Sequence, residues 1–150
     1  MQSRIKSYSA IIIVLSVIYL SSCKEDPPTP AEQTQAKLQE IAGTYTVNSV
    51  NLDGNDVSDD YTEMTITLTS SREYSTGPNS YEPVWLSNGT FVFKDETRDP
   101  PVLTSFIRDD DIEVAYTLME STMTFRFTVP NPFGKTAGID GEYIFETTRQ

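Results

Sequence analysis

The residues of this chain that could do chemistry are few, and their types exclude more than they suggest. Its 150 residues include no His and one Cys, Cys23. Without imidazole there is no Ser-His-Asp or Cys-His nucleophile, no His-ligated metal and no side chain that ordinarily titrates near neutrality. A single Cys forms no internal disulfide and no Cys-cluster metal site. Acid dominates what remains: 22 Asp and Glu stand against 11 Lys and Arg, for a formal charge of −11. Such a chain repels a phosphate backbone, so nucleic acid is not an expected partner.

The acids gather at residues 53–60 and at Asp109, Asp110 and Asp111. The first group fails the helix-loop-helix calcium pattern, because Ser58 and Met64 occupy the places that require Gly and Glu. Both groups read as solvated turns, the second with Arg108 as its local counter-charge, and no metal or cofactor is expected. Glycoside hydrolysis needs two carboxyl groups ~5 to 9 Å apart. Among so many acids some pair always meets that distance, so the expectation is a protein without catalytic residues.

Aromatic side chains give the better lead. Tyr74, Tyr81 and Trp85 lie in or beside residues 77–86, where Pro78 and Pro83 disfavour a central strand. Aromatics in such a segment could stack on sugar rings at the surface, line a barrel mouth, or fold down over the core. Phe133 and Lys135, near the tip of the long turn 130–141, could gate the same mouth or offer an anion contact, with a merely flexible connection as the alternative.

The one Cys follows a basic start, Arg4 and Lys6, and an apolar run over residues 10–20. That run is short of the ~20 residues of a membrane span and suits the core of a secretory signal. Leu20-Ser21-Ser22-Cys23 resembles a bacterial lipobox. The resemblance implies cleavage before Cys23 and acylation of that residue, with two or three chains of the palmitate kind giving stable anchoring. Cys23-Lys24-Glu25-Asp26 further resembles the surface-export signal of Bacteroidota lipoproteins. It implies an outer-membrane anchor facing outward, with the periplasmic face as the alternative. Residues 1–22 are then signal peptide, residues 23–37 a Pro-rich tether running into a helix, and residues 38–150 the folded domain. Arg4 and Lys6 leave with the signal and no acid does, so the mature chain is more acidic than the whole.

The elements that must position these residues are mostly strands. Residues 31–42 are rich in helix formers and stop before Gly43, which predicts one short helix. From Thr44 onward the pattern has period two. Met64, Ile66 and Leu68, then Ile112, Val114, Tyr116 and Leu118, then Met123, Phe125, Phe127 and Val129 alternate with polar residues. Less regular strands are expected at 44–52, 72–76, 89–94, 102–107 and 141–148, the first with a bulge near Asn48 where its apolar face changes. Short turns with no helix between them predict an all-β, antiparallel up-and-down barrel of about eight strands, with a β-sandwich as the alternative.

The helix, the Gly43-Thr44-Tyr45 opening of the first strand, the meander and the late Arg149 together resemble the lipocalin-like domains of Bacteroidota lipoproteins. In lipocalins a Trp stands where this chain has Tyr45, and a late Arg packs across it. The resemblance implies a barrel whose interior either holds a small ligand or is filled by side chains, and no shared enzymatic role. On that basis Tyr45, Tyr81, Trp85, Phe125 and Phe133 are the candidate cavity or mouth residues. The expected partners are the membrane, through the lipid on Cys23, and a small apolar or amphipathic ligand bound by a monomer. A surface glycan-binding or adhesion module using exposed Tyr81 and Trp85 is the alternative.

Overall fold

The computed structural model describes residues 26–130 and 139–150. Its one α-helix, α1 (Pro30–Ile41), starts on a capping box. The Thr29 hydroxyl accepts from the Glu32 N–H, the Glu32 carboxylate accepts from the Thr29 N–H at 2.7 Å, and Pro30 takes the first helical position. Gly43 is not what ends the helix. The chain turns extended at Ala42, whose N–H still donates to the Leu38 carbonyl at 3.1 Å.

Nine strands follow: β1 (Gly43–Leu52), β2 (Asn55–Asp56), β3 (Thr65–Leu68), β4 (Glu73–Gly77), β5 (Asn88–Asp95), β6 (Val102–Arg108), β7 (Glu113–Met119), β8 (Thr122–Val129) and β9 (Gly141–Arg149). Each pairs antiparallel with its neighbour in the order β1-β3-β4-β5-β6-β7-β8-β9, and β9 pairs back onto β1. The result is a closed eight-stranded up-and-down barrel without free edges, as the periodicity predicts, and the sandwich is excluded. β2 is an extra two-residue strand that folds back on the end of β1, followed by a 3-10 turn (Ser58–Tyr61); neither was anticipated.

The alternation places one face of each strand inside. Ile66 and Leu68, Phe91 and Phe93, Val114 and Tyr116, Met123 with Phe125, Phe127 and Val129, and Tyr143 with Phe145 are all buried. The predicted bulge falls where expected, with the β1–β9 register shifting between Val47 and Ser49. It lets Tyr45 before it and Val50 after it both point inward, although they are an odd number of residues apart.

The meander gives the barrel two unlike ends. One carries α1, the chain termini of β1 and β9, and the short connections at 69–72, 96–101 and 120–121. The other carries the longer connections at 53–64 and 78–87, the turn 109–112, and the link from β8 to β9.

Candidate functional site

At the helix end the barrel is sealed. Tyr45, fully buried, donates its hydroxyl to the Ile41 carbonyl at 2.7 Å. Arg149 lays its guanidinium 5.2 Å from the Tyr45 ring centre, donates to the Tyr45 hydroxyl at 2.7 Å and to the Ala42 carbonyl at 3.1 Å, and also bonds the Glu40 carbonyl. One cation thus satisfies carbonyls left open at the helix C-terminus while covering an aromatic face. Gly43 is needed here for room, since a Cβ would stand 2.9 Å from Arg149 Nε. The expected arginine-over-aromatic closure is therefore present, and it makes Tyr45 part of a seal, not of a ligand mouth.

Phe125 is also fully buried, midway along the interior, with Tyr45, Trp85 and Phe106 as ring neighbours at 6.1, 5.4 and 6.5 Å. It packs the core and faces no opening. Cys23 and Phe133 lie outside the described residues.

The loop-rich end holds the remaining candidates, in an arrangement the sequence does not announce. Within residues 78–87 the side chains of Tyr81, Val84 and Trp85 turn inward, while Pro78, Asn79, Ser80, Glu82 and Pro83 stay exposed. The N–H groups of Val84 and Trp85 both donate to the Tyr81 carbonyl, and the Trp85 side chain has no solvent exposure. Its ring packs edge-on against Phe127 (5.1 Å), Phe125 (5.4 Å), Phe145 (5.9 Å) and Tyr74 (6.4 Å). Tyr74 is on β4 and Phe125 on β8, four places apart in a circuit of eight, so a ring that touches both spans the interior. Trp85 is a plug. The expectation of exposed loop aromatics is corrected accordingly: the surrounding ring faces bury more apolar area than a surface position would.

Arg108 locks that plug and was missed as a site residue. It is 1 % exposed, with its guanidinium 4.9 Å from the Trp85 ring centre and 5.5 Å from that of Phe127. It forks onto the Asp110 carboxylate and donates to the Val84 carbonyl at 3.2 Å. Its position two residues after Phe106, on the same strand face, was the available signal; a counter-charge to the Asp run is only half of its role. The acids of both turns are partly spoken for by the chain itself. Asp109 accepts from the Tyr74 hydroxyl at 2.8 Å, Asp53 from the Glu142 N–H at 2.8 Å and Asp56 from the Ser58 N–H at 3.0 Å.

Outside the plug a cleft of about 220 Å³ opens between the loops. Tyr61, Tyr81 and Tyr143 form its aromatic wall, Leu52, Val57, Val84 and Ile139 add apolar surface, and Asp60 and Glu82 stand at it. Tyr61 stacks on Tyr81 at 5.9 Å and meets Tyr143 edge-on at 6.4 Å. The Tyr143 hydroxyl donates to the Ile139 carbonyl at 2.9 Å, whereas the buried Tyr81 hydroxyl and Trp85 Nε1 have no partner. Of the sequence candidates, then, Tyr81 and Trp85 come together at one end, Tyr45 is at the other and Phe125 lies between.

Burial pushes the hydroxyls of Tyr45, Tyr61, Tyr74, Tyr116 and Tyr143 above their ordinary value, and an acidic neighbour adds to it at each of them. In the unfolded chain these groups ionise near pH ~10. The folded state holds its phenolic protons more tightly, so this contribution to stability is whole below pH ~10 and is lost as pH rises beyond it. We expect alkaline unfolding above that pH, with tyrosinate absorbance and loss of circular dichroism rising together. With no His in the chain, stability should be nearly flat between about pH 6 and 9.

Fold and site together define a closed antiparallel barrel sealed at its helix end by Arg149 and plugged at its loop end by Trp85. Compared with protein-family models, curated proteins and solved structures, the chain matches none of them, so its function is argued from its own residues.

Proposed function

We propose that this chain is a cell-envelope lipoprotein, anchored to the outer membrane through acylated Cys23 and facing the cell surface. Its lipocalin-like barrel would hold a small apolar or amphipathic ligand without catalysing a reaction. The observation that carries the ligand reading is the cleft at the loop-rich end. It is concave and largely aromatic and aliphatic, with a few polar residues, Asp60, Ser80 and Glu82, the composition expected of a small-molecule site.

The position of the anchor agrees with this use. α1 begins beside Arg72, Glu96 and Thr97 of the sealed end, with which Pro30, Ala31 and Thr34 share a surface groove, so a tether from Cys23 reaches the domain at the end opposite the cleft. The cleft is then free to face away from the membrane. The glycan-platform reading loses its main support, because the Trp85 ring is inside the barrel.

Two results test the proposal. Native mass spectrometry of the chain purified from its own host should reveal a copurifying small molecule, and finding none would count against the ligand reading. Cys23→Ala should move nearly all of the protein from the membrane fraction to the soluble fraction; continued membrane association would overturn the anchor.

A further inference from the structure

We propose that the cleft at the loop-rich end selects an organic ammonium cation, one positive amine carried on a small apolar body. This rests on the ligand-binding reading and adds the charge of the ligand. The rings of Tyr61, Tyr81 and Tyr143 pack together along one side of the cleft, and a desolvated cation is attracted to aromatic rings. Two carboxylates, Asp60 and Glu82, line the same cleft, and no Lys or Arg does among the described residues.

The carboxylates are not consumed by ion pairs there. Glu82 accepts only from the Ser87 N–H and hydroxyl, at 3.4 and 3.1 Å, and keeps its charge available. Asp60, which lines the cleft, acts on both the Tyr61 and the Tyr143 hydroxyls, so its negative charge reaches the aromatic wall. Among the described residues an anion of the same size meets two carboxylates in the cleft and no cationic side chain. The neighbouring cation, Arg108, cannot help it, since it is inside the barrel and already paired with Asp110.

The test uses three probes of one shape: benzylammonium, benzyl alcohol and benzoate, titrated calorimetrically into the full chain at neutral pH. Benzylammonium should bind at least about tenfold more tightly than benzyl alcohol, with benzoate weakest. Glu82→Gln and Asp60→Asn, which preserve shape, should each weaken benzylammonium several-fold while leaving benzyl alcohol unchanged. Equal or tighter binding of benzoate, or unchanged benzylammonium affinity in both variants, would overturn the proposal. The neutral apolar dye Nile red separates the two levels. Dye binding without ammonium preference removes only the charge inference, whereas failure of every probe removes the ligand-binding reading with it.

Discussion

Trp85→Ala is expected to lower the free energy of unfolding by about 3–5 kcal/mol, the range for truncating a large, fully buried aromatic. The side chain has no exposure and touches Phe125, Phe127, Phe145 and Tyr74, whose strands lie on opposite sides of the barrel. Removing it leaves a hole that these rings cannot close, because the hydrogen-bonded circuit holds their backbones apart. Trp85→Phe makes the sharper comparison. Indole Nε1 has no hydrogen-bond partner among the described residues, so the phenyl ring loses area and some of the attraction to Arg108 but no hydrogen bond, and the cost should fall to roughly 1–2 kcal/mol. Urea denaturation followed by circular dichroism reads both. A Trp85→Ala cost below about 1 kcal/mol would mean that residues 78–87 form a loose lid and not a plug.

Arg108→Ala should cost about 2–4 kcal/mol, for a different reason. A guanidinium with no exposed surface is tolerated only where its donors and its charge are met, and here Asp110, the Val84 carbonyl and two ring faces meet them. Truncation removes the packing of the stem, strands the Val84 carbonyl and detaches residues 78–87 from the β6–β7 turn. Asp110 is 21 % exposed on its side chain and can be rehydrated, which holds the loss below that of a pair buried at both ends. Arg108→Met retains the stem and should recover part of the loss. Arg108→Lys should recover little, because one ammonium cannot fork onto Asp110 while lying flat on Trp85. Wild-type stability in Arg108→Lys would refute the account of the locked plug.

Much of the barrel was legible in the residues because strand faces are local facts. Period-two runs such as Met123, Phe125 and Phe127 mark an inside face whatever lies across from them. The bulge was visible for the same reason, since Val47 and Val50 cannot share a face without an extra residue between them. Even the Arg149 seal could be anticipated, from the order of a Gly-x-aromatic start and a late basic residue. The cap on α1 could have been: Thr29 and Glu32 have capping-box spacing, and only the attention drawn by Gly43 obscured it.

The candidate site was read less well. Tyr81 and Trp85 do come together at one end of the barrel, but the prolines beside them, Pro78 and Pro83, suggest a loop held away from the body. Tyr45 and Phe125 were grouped with them as mouth residues although one seals the far end and the other fills the middle. Arg108 was read beside its sequence neighbours, Asp109 to Asp111, when its decisive neighbours are Trp85 and Phe127.

What the sequence determined by itself is the alternation that makes eight half-buried strands, the short turns that force them antiparallel, and the exclusion of His- and Cys-based chemistry. Those follow from residue types within a few positions of one another. Only the tertiary structure decided which way the β4–β5 connection folds. That choice depends on ring faces from β8 and β9 and a guanidinium from β6, all distant along the chain, which together make the barrel interior a more favourable place for one indole than the solvent. The same inward fold leaves Tyr81 at the rim beside Tyr61 and Tyr143, in an aromatic cleft of about 220 Å³ edged with Asp60 and Glu82.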